Sequence, residues 1–457
     1  MSETDEIKRE STNNLKKVLF GAPRLGTSIV LGIEGWALLT LYTSGYGLHP
    51  LLAGFAISMG YLTIALFQFL FGWLSDAKYT RWGRRKPYII VFAPILAIST
   101  IFLLLPALVI DLTEKNTLFI WMLVWEILFR MSYSVTTPYQ AWMAEVFPIE
   151  ERPKVSQFQN IFNWVGNATM AIFSMLILTK YIGAIETAGD VNIAIPYDFL
   201  IPIIIFGILI IILFYFIAFK IPKEPEYQIE SNLIQNLKTI VKNRNFMLVI
   251  LMVGISGLGW SMLSTGMLKY LNDALNLGLI DYLIAAICLV LTIFIFLYMW
   301  RRSIEKSGKK KTLLYVFLLA VVSLPITLLG LIPMNSYLII GIIFIIVVAT
   351  SLAGWYLFPY ILYADIAEDD EKSTGEMKAG IYAGFPSIIL NIFQAVGAFL
   401  IGAIFSLPNI SPTGDFSYSS GLIIFGPIIS VILLISYFYA KKYIKLDFDW
   451  EKKDISS

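Results

Sequence analysis

The chain has few of the residues on which enzymes and metalloproteins depend. Its 457 residues include one cysteine, Cys288, and one histidine, His49, so we expect neither an internal disulfide nor a zinc or Cys/His catalytic site. A GxxxxGK[ST] phosphate loop is also missing, which excludes a nucleotide-driven motor within this sequence. Charged residues make up 14% of the chain, against about 25% in soluble domains. The net charge of +2 gives no indication of nucleic acid binding.

Long hydrophobic runs occupy most of the sequence. In hydrocarbon each backbone polar group must be satisfied within its own segment, so a run long enough to cross a bilayer is expected to be a helix. Twelve such runs cover residues 25–44, 51–74, 88–110, 118–146, 156–180, 198–219, 247–270, 281–300, 312–332, 336–364, 380–405 and 419–440. The sequence therefore predicts an all-α membrane protein with twelve transmembrane helices.

The basic residues predict how the runs are oriented. If both termini are cytoplasmic, the tails and cytoplasmic loops hold 30 of the 34 lysines and arginines. Lys115, Lys180 and Lys269 fall on the other side, and Arg130 lies within a run. This asymmetry is what the positive-inside rule requires, so both termini are predicted to be cytoplasmic.

Two pairs of motifs indicate that the chain is duplicated. Gly83-Arg84-Arg85-Lys86 after run 2 is echoed 225 residues later by Gly308-Lys309-Lys310-Lys311 after run 8. Pro138-Tyr139 in run 4 is echoed 221 residues later by Pro359-Tyr360 in run 10. The nearly common offset predicts two six-helix pseudo-repeats with a site between them, as in many secondary transporters. The predicted parts are a first half at 1–220, a cytoplasmic linker at 221–246 and a second half at 247–457.

Three charged residues are predicted to lie near the middle of the membrane. Glu34 is nine residues into run 1, roughly 13 Å deep at 1.5 Å per residue, and Glu126 and Arg130 lie one helical turn apart in run 4. Charges at this depth are costly unless they are paired or hydrated, and they often mark function. Removal from water favours a neutral carboxyl, which suits a proton carrier. Two alternatives are a purely structural Glu126–Arg130 pair and a Glu34–Arg130 pair that never titrates.

Amides, hydroxyls and aromatic rings recur inside the runs of both halves. Amides can read a ring of hydroxyls, and aromatic faces can cover the apolar face of a sugar, so this lining predicts a neutral polyol substrate. The alternative is that the amides bond between helices and that the aromatic residues form interfacial belts. The predicted substrate-binding residues are Trp36, Gln68, Tyr139, Gln140, Asn160, Asn163, Asn167, Trp260, Ser264, Trp355, Asn391 and Gln394.

The loop between runs 2 and 3 carries acidic and basic residues in close succession. Asp76 at a helix end can pair with nearby arginines, forming a latch that breaks when the halves rock. Acids at the ends of runs 4 and 10 occupy equivalent places. The predicted gating residues are Asp76, Arg81, Gly83, Arg84, Arg85, Glu145 and Asp365.

The same loop resembles that of a known family, the major facilitator superfamily. Within it, the segment is similar to the glycoside–pentoside–hexuronide cation symporters and, more closely, to the sucrose/proton symporters with their QP…GxxSD…RxGRRRPFI pattern. The residues that fit this pattern are Gln68, Gly72, Ser75, Asp76, Gly83, Arg84, Arg85 and Pro87. Where melibiose-type carriers hold sodium with two aspartates, this sequence has Ile64 and Gln68, which cannot replace hard anionic ligands. Sodium coupling is therefore not expected.

Taken together, these patterns predict a secondary active transporter and no enzyme. We expect proton-coupled symport of a sugar or glycoside, preferably a di- or oligosaccharide, by alternating access. The partners are the sugar and membrane lipid, with no cofactor and no nucleic acid, and the chain is expected to act as a monomer in a prokaryotic plasma membrane. The alternatives are a carrier of lipid or another amphiphile and an uncoupled sugar facilitator. The sequence leaves open whether Glu34 or Glu126 carries the proton, and whether transport is inward or outward.

Overall fold

Twelve helices long and apolar enough to cross a membrane make up almost all of the fold. A computed structural model describes residues 14–148, 151–224, 241–334, 336–374, 379–412 and 417–446. Spans 1 to 12 are Asn14–Gly45, Pro50–Asp76, Lys86–Leu104, Lys115–Met143, Arg152–Ala188, Tyr197–Lys220, Arg244–Ala274, Leu279–Ser307, Lys309–Leu331, Leu338–Tyr363, Phe385–Phe405 and Gly421–Tyr443. The predicted number and order of helices are confirmed.

Three spans change their winding towards one end. Span 1 finishes as a π-helix at Leu41–Gly45, and span 7 finishes as a π-helix at Tyr270–Ala274. Span 5 contains a π-helical segment at Phe173–Leu178. Such segments often occur at functional sites, and spans 1 and 7 occupy equivalent places in the two halves.

Other parts of the chain depart locally from a straight helix. Span 4 is built from two helices, Lys115–Tyr133 and Thr136–Val146. The helices that contain spans 10 and 11 extend beyond them, over Leu338–Thr374 and Ala379–Phe405. Between spans 11 and 12 a short antiparallel hairpin pairs Asn409–Ile410 with Tyr418–Ser419.

The side chains are sorted as a membrane protein requires. Large apolar residues such as Ile280, Val322 and Ile339 are more than two-thirds exposed on the outer surface, where lipid would cover them. Glu34, Glu126 and Arg130, which lie well inside spans 1 and 4, are buried within the bundle instead. This arrangement keeps ionised groups away from the hydrocarbon.

Glycines bring the two halves into close contact. A Cβ on Gly54 of span 2 would lie 2.7 Å from Ala398 O and from Gly402 Cα of span 11. A Cβ on Gly402 would lie 2.6 Å from Pro50 O. Small residues let helix backbones approach in this way, so spans 2 and 11 form a tight seam between the halves.

The first span differs from its prediction. Run 1 begins at residue 25, whereas span 1 extends back to Asn14 through the helices Asn14–Gly21 and Pro23–Thr40. Pro23 is tolerated because it stands in the first turn, where its missing N–H has no helical partner. As a result Arg24, which the sequence places in the cytoplasmic tail, lies within the helix.

Two predictions about organisation stay predictions. Residues 225–240 of the predicted linker 221–246 lie outside the described residues, so the boundaries of the two halves are those inferred from the sequence. The cytoplasmic location of both termini likewise comes from the charge distribution of the sequence.

Candidate functional site

A buried cluster of three charges joins spans 1 and 4. Arg130 Nη2 donates to Glu34 Oε2 at 2.5 Å, and Arg130 Nε donates to Glu126 Oε1 at 3.1 Å. The side chains of Glu34, Glu126 and Arg130 are 2%, 0% and 3% exposed. The structure thus brings together the three residues that the sequence predicts for proton coupling. The Glu126–Arg130 pair and the Glu34–Arg130 pair, which are alternatives in the sequence analysis, are both present in the structure.

The charges of this cluster do not balance when both acids are ionised. Two carboxylates face one guanidinium, so the fully ionised cluster carries one net negative charge, and a single proton makes it neutral. Glu34 Oε1 and Glu126 Oε2 are buried and have no hydrogen-bond partner among the described residues. An unpartnered buried oxygen carries a desolvation cost, especially when it is charged. A proton on either oxygen would therefore reduce the cost of burying the cluster.

Span 2 completes the surroundings of the cluster with two residues that the sequence did not reveal. The guanidinium carbon of Arg130 lies 4.1 Å from the ring centroid of Tyr61, a cation–π distance. A Cβ on Gly60 would overlap Glu126 Oε1, so only glycine lets span 2 approach this carboxyl group. Span 2 also packs on span 11, so one helix contacts both the cluster and the other half of the molecule.

One face of span 1 borders open space at Gly35. A Cβ on Gly35 would meet no atom within 4 Å. Leu31 and Arg24 are half-buried and lie on the same face as Gly35, four and eleven residues before it. The opening is therefore a candidate solute cavity. The sequence missed Arg24 because its position before run 1 is typical of a cytoplasmic charge.

The predicted amides of the first half divide into two groups. Ser28 Oγ donates to Asn163 Oδ1 at 2.5 Å, so Asn163 bonds spans 1 and 5 together. Asn160 is exposed, and Asn167 is half-buried, along the same stripe of span 5. Gln68 of span 2 is half-buried as well. Asn160, Asn167 and Gln68 keep accessible surface.

Tyr139 occupies a packing position. It is 1% exposed; its hydroxyl donates to Phe20 O, and Gln159 Nε2 donates to the hydroxyl at 3.0 Å. Its neighbour Gln140 faces the other way: with its amide oxygen turned to Arg24, it accepts from Arg24 Nε at 3.0 Å and Nη2 at 2.5 Å. Tyr139, a predicted substrate-binding residue, therefore has no accessible surface for a solute. Gln140, the other predicted residue, is hydrogen-bonded to Arg24.

Aromatic residues dominate the equivalent region of the second half. Trp260 of span 7 and Trp355 of span 10 are stacked, with ring centroids 6.0 Å apart and 25° between the planes. Trp260 Nε1 is buried without a hydrogen-bond partner among the described residues. Trp36 of span 1 is also buried. An indole N–H without a partner is a donor available to a solute hydroxyl.

The predicted polar residues of the second half bond mainly to backbone. Ser264 Oγ donates to Ser261 O at 3.1 Å, and Asn391 Nδ2 donates to Ser387 O at 2.8 Å. The backbone oxygen of Gln394 accepts from Ser261 Oγ at 3.0 Å, which ties span 7 to span 11. The side chain of Gln394 is half-buried. Of this group, Gln394 and Ser264 retain exposed surface.

The predicted latch forms within the first half. Arg85 Nη2 pairs with Asp76 and with Glu145 Oε1 (2.6 Å), while Arg85 Nη1 donates to Ser75 Oγ at 2.6 Å. Burial would lower the pKa of Arg85, but the hydrogen bonds and charges of Glu145 and Asp76 raise it above its usual value. The guanidinium therefore stays charged at any physiological pH.

The loop beside the latch contains the other predicted gating residues. Arg84 Nε lies 3.7 Å from Glu145 Oε2. Gly83 has φ +97°, and a Cβ there would lie 2.7 Å from Glu224 Oε1, so glycine is required on both counts. Arg81 lies outside the latch: it is exposed, and its guanidinium stacks on Trp82 at 5.0 Å.

The second half repeats the contact between the basic loop and the acid. Lys309 Nζ lies 2.7 Å from Asp365 Oδ2, as Arg85 lies beside Glu145. Gly308 has φ +85°, like Gly83. In each half the basic loop thus contacts an acid of the same half, at the end of the molecule that we call the latch end.

A polar lock joins the halves at the opposite end. Ser44 Oγ of span 1 donates to Asp273 Oδ1 of span 7 at 2.8 Å, and Lys269 Nζ donates to Ser44 Oγ at 2.7 Å and to Asp273 Oδ2 at 2.5 Å. Ser44 and Asp273 stand in the π-helical ends of spans 1 and 7. We call this end, where span 2 also meets span 11 at Gly54 and Gly402, the lock end.

No resident metal is suggested by the site. Within the described residues, no group of three or more His, Cys, Asp or Glu side chains could hold a metal ion. At the positions where a resemblance to melibiose-type carriers would place sodium ligands, the structure has Ile64, which is buried and apolar, and Gln68, a half-buried amide.

Comparison with known proteins identifies the family. Residues 19–440 match the family described as MFS/sugar transport protein. The chain belongs to this family. It is a multi-pass membrane transporter of the major facilitator superfamily, as the resemblance in the loop between spans 2 and 3 implied.

The transporter is also similar to individual proteins. Over 178 residues it is 29% identical to an uncharacterized symporter of Synechocystis sp., a match that covers 38% of this chain. The match spans 33% of that relative's length, so activity and substrate do not follow from it.

Solved structures share the fold. A nucleoside transporter matches with 14% identity and a TM-score of 0.61, covering 94% of this chain and 99% of that one. The inward-open xylose transporter from E. coli matches with 15% identity and a TM-score of 0.57, covering 95% of each chain. A bacterial homologue of the human lysosomal transporter Spinster matches with 13% identity and a TM-score of 0.62, covering 94% of this chain and 96% of that one. At these identities the likeness concerns the fold.

We predict that the latch stabilises the first half through Arg85. Arg85→Ala would leave Asp76 and Glu145 without their shared cation, and breaking a buried ion pair costs about 3–5 kcal/mol. The melting temperature of the purified protein in detergent should fall by roughly 5 °C or more. Arg81→Ala is the matched control, because Arg81 is exposed and stacks only on Trp82. Equal melting temperatures for the two variants would show that the latch contributes nothing to stability.

Proposed function

We propose that the protein is a proton-coupled symporter that takes up a sugar or glycoside by alternating access between its two halves. The proton motive force drives it, and neither a cofactor nor sodium takes part. It acts as a monomer in a prokaryotic plasma membrane. The observation that carries the proposal is the buried Glu34–Arg130–Glu126 cluster, in which two carboxyl groups share one guanidinium.

The proton is assigned to the cluster because of its charge. With both acids ionised the cluster is an uncompensated anion, which is tolerable only while water reaches it. Closing the cavity removes that water, so closure favours the protonated, neutral cluster. Solute binding then supplies the contacts that hold the halves closed. A proton and a solute would therefore cross together, since neither alone gives a stable closed state.

The path from the cluster to the seam runs through span 2. Tyr61 covers the face of Arg130, and Gly60 lies against Glu126. A change in the hydrogen bonding of Arg130 would therefore alter the contacts of span 2, which also packs on span 11. This connection is the physical link that we propose between protonation and movement of the halves.

A sugar is assigned to the cavity from the residues with accessible or unpartnered polar groups. Asn160, Asn167, Gln68 and Gln394 offer amide donors and acceptors, and the Trp260–Trp355 stack offers aromatic surface with a buried N–H. Amides and indoles together suit a molecule with many hydroxyls and an apolar face. One protein of known structure that shares the fold is a D-xylose-proton symporter, which supports the same class of solute and coupling.

Replacing either acid should uncouple transport from the proton gradient. In proteoliposomes with an imposed pH gradient, one coupled proton can drive about tenfold accumulation per pH unit. We expect Glu34→Gln and Glu126→Gln to lose this accumulation, and at least one of them to keep exchange of solute across the membrane. Glu114→Gln, which changes an exposed loop residue, is the matched control and should accumulate solute normally.

The screen should cover mono-, di- and oligosaccharides, with and without sodium. Accumulation that follows a sodium gradient and ignores pH would overturn the assignment of the proton. Uptake of a lysolipid in place of every sugar would support the amphiphile carrier considered above.

Alternating access requires the lock end to open. The Ser44→Cys/Asp273→Cys pair, made in a Cys288→Ser background, should form a disulfide on oxidation, because the native side chains are in hydrogen-bond contact. Oxidation should stop uptake, and reduction should restore it. Ser44→Cys alone is the control and should be unaffected by oxidant. Full transport by a fully cross-linked protein would contradict movement at this end.

A further inference from the structure

Three exposed cations lie close together at the latch end of the first half. Lys78 and Arg81 belong to the loop between spans 2 and 3, and Lys223 follows the end of span 6. Lys223 Nζ lies 5.5 Å from the ring centroid of Tyr79, which stands between the other two in the chain. Within the part of the chain that the structure describes, none of the three has a carboxylate oxygen within 4.0 Å. Their charges therefore face outward without a protein partner.

The described acids nearest to these cations are turned inward. Asp76 and Glu145 both pair with Arg85, and Glu145 is buried. Glu224 is buried as well, and its Oε1 accepts from the backbone N of Arg84 and from that of Arg85 (3.2 Å). The negative charge of this region is thus used inside the latch. The outer surface keeps a positive charge that an anion outside the protein can neutralise.

The turn that carries Arg81 is held in place by hydrogen bonds. Thr80 N donates to Gly83 O at 3.1 Å, and Gly83 N donates to Thr80 O at 2.8 Å. The hydroxyl of Tyr79 donates to Glu224 O at 2.9 Å, which ties the turn to the segment after span 6. A surface whose backbone is already ordered loses less entropy when a ligand binds.

Two tryptophans place the cations at the level of lipid headgroups. Trp73 lies in the last turn of span 2, which ends at Asp76, and Trp82 lies in the turn itself. Both side chains are nearly half exposed. Tryptophan is enriched where the hydrocarbon of a membrane meets water. The guanidinium of Arg81 lies 5.0 Å from the ring centroid of Trp82, so a cation and an interfacial ring share one surface.

We infer that an anionic phospholipid binds to this surface through its headgroup. We call the surface the headgroup site; it comprises Lys78, Arg81, Lys223, Trp73 and Trp82. Guanidinium and ammonium groups both bind phosphate oxygens, and the indole rings cover the apolar part of the lipid next to the phosphate. The charge distribution of the sequence predicts that the latch end is cytoplasmic, the side on which basic clusters meet anionic lipids.

The experiment compares phosphatidylglycerol with phosphatidylcholine of the same acyl chains. Each lipid is titrated into the purified full-length protein in detergent, and bound lipid is counted by native mass spectrometry. One basic residue near an anionic headgroup corresponds to about a fivefold gain in affinity. The native protein should therefore prefer phosphatidylglycerol by roughly a hundredfold if the three cations act additively.

The variants remove one cation at a time. Lys78→Gln, Arg81→Gln and Lys223→Gln should each weaken the preference by about fivefold, and the triple variant should bind both lipids alike. Arg301→Gln is the matched control, because it removes an exposed cation that already pairs with Glu305. Without added lipid, the variants should melt at the temperature of the native protein, since the three side chains are exposed.

A further measurement separates a lipid from a soluble phosphate. Glycerol 3-phosphate carries the same charged group without acyl chains, and it should raise the melting temperature far less than phosphatidylglycerol does. If it stabilises the native protein as strongly, the surface takes a free phosphate and the lipid assignment is wrong. Equal binding of the two lipids by the native protein, or an unchanged preference in the triple variant, would overturn the headgroup site.

Discussion

Arg130 is the residue on which the arrangement of the first half depends. It is buried where an unpaired charge could not persist, and it is held by acids from two helices with a tyrosine ring from a third against its face. Each of these contacts is stabilising only in the presence of the others. Removing Arg130 would leave two buried carboxyl groups, and removing either acid would change the charge of the whole cluster. Span 1, span 2 and span 4 are therefore linked through one guanidinium.

The charged residues at the two ends of the molecule make different kinds of contact. At the latch end, Arg85 and Lys309 pair with acids of their own half, so these contacts shape each half separately. At the lock end, Ser44, Lys269 and Asp273 join one half to the other. At the same lock end, spans 2 and 11 approach each other closely through Gly54 and Gly402. A molecule closed at one end by a few hydrogen bonds is suited to opening there at modest cost.

Much of the fold could be read from the sequence because the bilayer imposes strict rules. Run length predicted all twelve helices, and the motif offsets predicted two six-helix pseudo-repeats. Glu34, Glu126 and Arg130 were found because charge within an apolar run is rare. Tyr61 and Gly60 were missed because a tyrosine and a glycine in a hydrophobic run give no signal until the neighbouring helix is known. Arg24 was missed because hydropathy ends run 1 at the charge itself, whereas the helix continues.

The amides show where sequence patterns stop being decisive. Asn160, Asn163 and Asn167 share a stripe of span 5, yet Asn163 bonds to Ser28 while the other two keep exposed surface. Tyr139 belongs to a motif shared by both halves, and its hydroxyl is already used by Phe20 and Gln159. Which polar group faces a solute and which ties helices together depends on partners distant in the chain. Residue type alone cannot decide it.

The most direct test of the central claim is infrared difference spectroscopy of the purified protein across a pH titration. The account predicts the stretching band of one buried protonated carboxyl group, which appears as the pH falls and disappears in Glu34→Gln or in Glu126→Gln. It also predicts that solute binding increases this band. A protein that transports its solute while both carboxyl groups stay ionised at every pH, with no such band, would contradict the account.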